Sequence, residues 1–497
     1  MAEDRVVPEW DGRTLHVRGG PAVPLELRLD GALFARWPAG AARSLRFAFM
    51  PGGQPSMQVQ MFSADEALHA PLLARWQQAG LEPAPAAPLP LAPLSAVDGA
   101  WRLDADTIPM LARRPVSVIV PVYDAPQAFA RCLSALRRHT AAPARLLLID
   151  DASPDPGIAP LLAQAARWPN VRVLRNERNR GFTATVNRGL RLCGDDDVVL
   201  LNADAEVGPG WLGALRAAAW AAADIASATA VSDNAGAFSV PELEQANPLP
   251  PGWTSDDAAR ALRQQAGLVQ PQLPTGNGFC MLLRSDARVR VGELDEQAFP
   301  QGYGEENDWS QRAVQRGWRH VVAGNVFVAH ARSQSFGDAA RLELGEKGMA
   351  VLRQRYPDYE AEVGEQLWSF ERLVLDWRVR RLWEAQDQTR PLPRLLRVGG
   401  SDGGARPWPG WSAWSVLDEG DACSLCDADG AARERAPAVA LDRALPAWLQ
   451  RRGFEAVLAA SPGRHGLAET CAALGVPCLP ADAEPAALAG ALAWPQD

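Results

Sequence analysis

Between residues 116 and 201 four mostly apolar runs alternate with three amphipathic stretches, and that alternation restricts the fold more than any other feature of the chain. The runs cover residues 116–122, 144–149, 171–175 and 198–201; the stretches between them cover 128–140, 157–168 and 182–193, with Phe129, Leu133 and Leu136 at helical spacing in the first. Runs without polar alternation suit strands covered on both faces. Repeated strand–helix–strand units build a parallel sheet, and right-handed crossovers bring the strand C-termini to one edge. Open α/β sheets bind their ligands at that edge. The polar residues collect there: Asp124, Asp150, Asp151, Asn179, Arg180, Asn202, Asp204 and Glu206.

The fourth run leads into Leu201-Asn202-Ala203-Asp204-Ala205-Glu206, stopped by Gly208-Pro209-Gly210. In extended backbone Asp204 and Glu206 fall on the same side. Paired hard oxygen ligands suit Mg²⁺ or Mn²⁺ beside a phosphate. Taken alone, the stretch reads equally well as an acidic loop with solvated carboxylates. Several carboxylates crowded on one sheet edge, however, repel one another unless a cation or ligand sits among them. No GxGxxG follows the first run and no GxxxxGK[ST] occurs, which counts against dinucleotide-binding and P-loop sites.

Further along, residues 232–251 read as a long loop, either a lid or an ordinary surface connection. Gly276-Asn277-Gly278 enters an apolar strand, which suggests close backbone approach to a ligand. Gly304 precedes the acidic start of a helix, Glu305-Glu306-Asn307-Asp308-Trp309. Carboxylates there are favoured by the helix dipole, so a capping role competes with a chemical one. Val326-Phe327-Val328-Ala329-His330 ends a strand in a lone histidine, either a structural residue or a ligand.

These pieces stand in the order of a known family. Val118-Ile119-Val120-Pro121-Val122-Tyr123, Ile149-Asp150-Asp151-Ala152-Ser153, Asn179-Arg180-Gly181-Phe182 with Asn187-Arg188-Gly189, Leu201-Asn202-Ala203-Asp204, Gly304-Glu305-Glu306-Asn307-Asp308 and His330 together resemble an inverting family 2 glycosyltransferase with the GT-A fold. The Gly302–Asp308 variant with Ser232-Asp233-Asn234 upstream resembles bacterial surface-polysaccharide and O-antigen transferases. The resemblance implies a nucleotide pocket formed by Pro121, Val122, Tyr123, Asp124, Asp151, Asn179, Arg180, Gly181, Asn187, Asn202 and Ala203. It implies a divalent metal, Mg²⁺ or Mn²⁺, on Asp204, with Glu206 or His330 completing the set. Asn202 stands where the family often has an acid. Glu306 takes the place of the catalytic carboxylate, usually Asp, with Glu305 the alternative. Gly276, Asn277, Gly278, Asp308 and Trp309 would border the acceptor, Asp308 chiefly as a cap. The implied donor is a UDP-, dTDP- or GDP-sugar, and the implied acceptor a glycan or lipid-linked glycan, with partner glycosyltransferases in the same assembly. A non-catalytic glycan- or nucleotide-binding protein of the same fold is the rival reading, and a nucleotidyltransferase the second.

The flanks complete an α/β architecture. Residues 1–80 carry period-two runs at 14–17, 25–29, 45–49 and 57–61 and read as a small β-sandwich. Residues 71–80 suggest a short helix, and 81–113 a Pro/Ala-rich linker. The GT-A domain spans 114–337, with a mostly parallel, Rossmann-like sheet. Residues 338–390 form a helical extension holding a basic-aromatic cluster at 377–383, and 391–497 a small α/β domain resembling part of a GT-B lobe. A net charge of −9 argues against nucleic-acid binding. Seven scattered cysteines fit a reducing compartment, and the lone Cys423-Ser424-Leu425-Cys426 lacks a zinc partner motif. The polar N-terminus and the lack of a long apolar run predict a cytoplasmic protein with at most peripheral contact at the inner membrane.

Overall fold

The computed structural model describes residues 103–140, 144–331, 338–385, 389–399, 408–463 and 466–484, isolated positions beyond, and six strands within the first hundred. The helix expected over 71–80 and the linker up to residue 102 lie outside the described residues. Contacts divide the chain into two units, residues 1–100 with 368–388, and residues 101–367 with 389–497.

In the first unit, β1 (Val7–Trp10), β2 (Thr14–Arg18) and β5 (Arg43–Arg46) form one antiparallel sheet, and β4 (Ala32–Trp37), β3 (Leu25–Leu29) and β6 (Val59–Ser63) another. The β3–β4 pairing is the hairpin that Asp30-Gly31 signals. The helix Phe370–Trp383 belongs to this unit and packs beside β4, so the expected extension over 338–390 is divided. Its basic-aromatic cluster is turned largely inward: Trp377 and Val379 are buried, and Arg381 lies 4.9 Å from the Trp377 ring centroid.

The second unit carries the expected alternation. Helix α1 (Thr107–Arg113) leads to β7 (Val116–Val122), α2 (Pro126–His139), β8 (Arg145–Asp150), α3 (Ile158–Ala165), β9 (Val171–Arg175), α4 (Phe182–Leu192) and β10 (Asp197–Leu201). Strands β9, β8, β7 and β10 lie side by side and parallel, buried by aliphatic residues such as Ile119, Leu147, Ile149 and Leu200. Each wholly buried Ile or Leu contributes about 1.5–3 kcal/mol of transfer free energy. After β10 come β11 (Ala205–Val207), α5 (Trp211–Ala219), β12 (Ile225–Val231), α6 (Ser255–Gln265), β13 (Gln272–Leu273), β14 (Cys280–Leu283), α7 (Ser285–Val291), α8 (Glu305–Val314) and β15 (Arg319–His330). Here the sheet turns mixed: β14 runs antiparallel between β10 and β12, and β15 is parallel to β12 but antiparallel to β11 and β13. Two further helices follow, α9 (Asp338–Arg355) and α10 (Tyr359–Leu367).

The C-terminal sheet has six strands in the order β19-β18-β17-β16-β20-β21, covering Ala432–Pro437, Ala422–Cys426, Ser412–Asp418, Arg394–Val398, Phe454–Ala459 and Cys478–Pro480, with α11 (Leu441–Arg452) and α12 (Leu467–Leu474). Its core also takes in Leu103, Ile108, Leu111 and Ala217. Helix α1, read from sequence as linker, is therefore part of that core. Arg260 of α6 grips Glu455 through two hydrogen bonds, at 2.6 and 3.1 Å, and a Cβ on Gly213 would lie 1.7 Å from the Leu474 carbonyl oxygen. The small domain is thus built onto α5 and α6 rather than hung from a linker. All seven cysteines are free, and among the described residues no helix is long and apolar enough to cross a membrane.

Candidate active site

The acidic stretch after β10 does not continue as one strand. β10 ends at Leu201, residues 202–204 turn, and β11 starts at Ala205 against the far end of β15. The register pairs Ala205 with His330, so Asp204 and His330 meet. Asp204 Oδ1 stands 3.2 Å from His330 Nε2, and the Asn202 amide nitrogen 3.3 Å from the same ring atom. The other ring nitrogen, Nδ1, lies 3.0 Å from the Asn234 carbonyl oxygen. A carbonyl only accepts, so Nδ1 carries a hydrogen, and Nε2 faces both the Asp204 carboxylate and the Asn202 amide. A proton on Nε2 or a cation beside it would satisfy that contact, and a carboxylate with an oriented imidazole is a donor pair that divalent ions take. Asp204 and His330 are two candidate ligands, and among the described residues no group of three or more His, Cys, Asp or Glu gathers that could hold a metal ion.

His330 is held in place from several sides. Its backbone N–H donates to Asp233 Oδ1 at 2.9 Å, and the Phe279 ring stacks on its ring at 5.2 Å. Burial pushes the Asp233 carboxyl up from its ordinary range. Asp233 and Asn234 sit at the C-terminal end of β12 and were given no role by sequence reasoning; their position after an apolar strand is the signal that marks them. The loop that follows is pinned by buried Phe238 and by Asn247, which donates to the carbonyls of Asp233, Glu242 and Gln245. It is a packed connection that delivers two residues to His330, and not the open lid considered from sequence. Glu206 pairs with Arg131 of α2 at 2.9 Å, and the turn at 202–204 interrupts the single extended strand on which the two acids would share a side.

The other strand ends build the neighbouring loops. Asp124 and Ala125 adopt left-handed backbone, φ 53° and 54°, where β7 hands over to α2. Pro121, Tyr123 and Ala203 are half-buried, and Asn179 and Arg180 are exposed. Val122 is wholly buried in the sheet, so only its backbone could border a ligand. The Asp151 carboxylate accepts from the backbone of Arg180 at 2.8 Å, from Gly181 at 2.9 Å and from the Asn176 amide at 2.6 Å. It shapes the 179–181 loop, where sequence reasoning had it hydrogen-bonding a base. Asn187 is likewise reassigned: buried, it bonds the Leu294 backbone in both directions and Glu296, tying α4 to the 294–296 segment.

Opposite stands the start of α8. Gly302, Tyr303 and Gly304 take φ of 92°, 65° and 138°. A Cβ at Gly304 would lie 2.5 Å from the Phe299 ring, so glycine alone fits here. Glu305 is buried and accepts the Gly304 N–H at 3.1 Å. Burial, and then the charge of Glu306, hold its carboxyl well above the usual range. Burial raises Glu306 as well, while the N–H groups of Gly278 and Gly304 and a hydrogen bond from Glu305 favour its anion. Glu305 is therefore the member of the pair held more strongly in its protonated form, hydrogen-bonded to Glu306. Glu306 Oε2 is buried without a hydrogen-bond partner. Gly278 adjoins Phe279, so the backbone that holds Glu306 is continuous with the ring that stacks on His330. Gly276 is held by Ser310 and Asn277 caps the Phe279 amide. Asp308 and Trp309 are corrections as acceptor residues. Asp308 is wholly buried and accepts from Arg312, Arg355 and Tyr356, and Trp309 lies in the core with its indole N–H on the Gly292 carbonyl.

Residues 117–288 match the model of the family described as Glycosyl transferase family 2. Over 243 residues, 44% of this chain and 77% of the relative, the sequence is 31% identical to an N-acetylglucosaminyl-diphospho-decaprenol L-rhamnosyltransferase of Mycobacterium tuberculosis. It is 36% identical over 107 residues, 21% of this chain and 8% of the relative, to the O-antigen biosynthesis protein RfbC of Myxococcus xanthus. The solved structure of GalNAc-T7 with UDP, GalNAc and Mn²⁺ aligns with a TM-score of 0.39 at 16% identity, over 63% of this chain and 62% of that one. A structural likeness this low says nothing of ligands.

Proposed function

The chain belongs to glycosyl transferase family 2, and from that premise we propose that it moves a hexosyl or deoxyhexosyl group, with inversion, from a nucleoside-diphosphate sugar to a hydroxyl of a glycan or lipid-linked glycan in bacterial surface-polysaccharide synthesis. The lipid-linked acceptor is suggested by the name of the rhamnosyltransferase relative, and the polysaccharide by that of the O-antigen relative. An acceptor on a lipid puts the work at the cytoplasmic face of the inner membrane, with peripheral contact there.

The observation that carries this reading is the free, buried Oε2 of Glu306. Inversion needs in-line attack by the acceptor oxygen on the anomeric carbon, opposite the leaving diphosphate. Glu306 takes the hydroxyl proton as the new C–O bond forms, and Glu305 keeps its own proton and steadies the anion. A placed base of this kind contributes about 10²–10⁴-fold. Asp204 and His330 would hold Mg²⁺ or Mn²⁺, with Asn202 alongside. When bound, such an ion neutralises charge developing on the leaving diphosphate. Asp151 keeps the 179–181 loop in shape, and that loop with Pro121–Asp124 borders the nucleotide.

A thermal-shift panel of UDP, GDP, dTDP and CDP, each with Mn²⁺ or with EDTA, tests it. At 100 times the dissociation constant a ligand stabilises by about 2.7 kcal/mol. One nucleotide should raise the melting temperature only with metal, and Asp204→Ala should abolish the rise. No shift with any nucleotide would refute the donor site.

A further inference from the structure

Both residues that follow Glu306 are tied to helices from further along the chain. Asn307 donates its amide to the Tyr359 hydroxyl and, at 3.0 Å, to Thr275 Oγ1, and Tyr359 also hydrogen-bonds Thr275. Thr275 opens the segment whose Gly278 amide holds Glu306. The Tyr359 hydroxyl therefore joins the two stretches, 275–278 and 304–308, that between them grip the carboxylate. Asp308 is anchored by Arg355, the last residue of α9, at 2.7 Å and by Tyr356, which follows it, at 2.9 Å. On the other flank α9 comes down on the loop before α8: a Cβ on Gly348 would lie 1.7 Å from the Tyr303 carbonyl oxygen. Tyr303 is the non-glycine member of the three left-handed residues there.

We propose that α9 and α10 form a clamp on the base, and that Tyr359 is a positioning residue for the transfer reaction, setting Glu306 through Asn307 and Thr275. The proposal rests on the reading of Glu306 as the base. Tyr359 is suited to the part because its ring and its hydroxyl do separate jobs. The ring packs against Phe299 and Leu352 in a satellite core, so it keeps α10 folded with or without the hydroxyl. The hydroxyl is neutral, so it bridges the two segments without changing the charge beside Glu306. Removing it leaves Asn307 with Thr275 alone and Thr275 with Asn307 and the Gly276 carbonyl, so the bridge from α10 to the two segments is lost. A misplacement of about 1 Å in a catalytic group costs on the order of a hundredfold in rate.

The experiment compares Tyr359→Phe and Gly348→Ala with the unmodified full chain. Amide hydrogen exchange read by mass spectrometry should speed up about tenfold or more in peptides covering 275–279 and 302–310, with the parallel strands unchanged. Turnover, followed as nucleoside diphosphate released from UDP-, dTDP- and GDP-hexoses with an octyl glycoside acceptor, should fall about tenfold to a hundredfold in kcat, with KM for the donor within about twofold. A residue that merely braces the fold would lower the melting temperature and leave kcat alone. Unchanged exchange at these peptides, or unchanged kcat, in Tyr359→Phe overturns the clamp. Glu306→Gln separates the two ideas: wild-type turnover in that variant removes the base assignment, whereas its loss alongside an unaffected Tyr359→Phe removes only the clamp.

Discussion

β15 carries two histidines ten residues apart, and they live in opposite ways. His320 is wholly buried near the start of the strand, with Nδ1 2.7 Å from the Ser227 hydroxyl and Nε2 3.0 Å from the Ser310 carbonyl. The carbonyl requires Nε2–H, so Nδ1 accepts from Ser227, and both ring nitrogens are satisfied. His330 closes the same strand with one nitrogen satisfied by Asn234 and the other facing both Asp204 and the Asn202 amide. What separates a structural histidine from a ligand is thus not residue type, strand or burial alone. It is whether the second nitrogen faces a backbone carbonyl in the core or a carboxylate at the site.

The sharpest way to break the comparison is to truncate both. His330→Ala should remove the Mn²⁺-dependent response to nucleotide and lower turnover by a thousandfold or more, since a bound metal supplies several kcal/mol of charge stabilisation. Its metal-free melting temperature should hardly move. His320→Ala should do the reverse: stranding Ser227 and the Ser310 carbonyl beside a cavity costs about 3 kcal/mol of stability, while the folded fraction keeps its Mn²⁺-dependent shift. Melting curves of both variants with and without Mn²⁺ and nucleotide decide it. Equal loss of the shift in both would erase the distinction.

A second test uses protons. Burial pushes the His320 ring down to about 4 from its ordinary value of 6.5. The folded state therefore favours the neutral ring, and the stability this lends is present above pH 6.5 and lost as pH falls toward 4. The gap corresponds to about 3 kcal/mol. Glu305 and Glu306, raised by burial, act in the opposite sense: what they lend at low pH is lost as pH rises through their shifted range. Urea unfolding at pH 7 and pH 4 in the wild-type chain and in His320→Gln isolates the histidine. The wild type should lose about 3 kcal/mol more than the variant over that interval. Parallel curves would mean the ring is protonated at no cost.

The parallel half of the sheet was legible because each of its strands declares itself locally, by an apolar run of the right length and a polar end. The mixed half was not, because β15 changes partners along its length, and the Ala205–His330 register rests on residues 125 positions apart. That distance is why Asp204 and Glu206 were expected on one side: extended backbone is the local answer, and the turn at 202–204 is set by β15. Asn187 shows the same limit, since its polar motif was visible but its partner at Leu294 was not. Helix α1 looked like linker because its apolar face is completed only by the C-terminal core. Tyr359 gave no sequence signal at all, being an aromatic on a helical stripe whose hydroxyl finds Asn307 only in the folded chain.

The smallest expected effect bears on the site end of the comparison. If the donor set is Asp204 with the oriented His330, then Glu206, one residue beyond the paired Ala205, adds nothing to the metal. Its bond to Arg131 is half-exposed, and pairs of that kind are worth about 0–1 kcal/mol. Glu206→Gln should therefore leave the Mn²⁺ concentration for half-maximal nucleotide response within about twofold, as its charge is already matched by the Arg131 guanidinium. A drop of tenfold or more in apparent metal affinity would return Glu206 to the coordination sphere. It would also mean that the Arg131 pair opens when the ion binds.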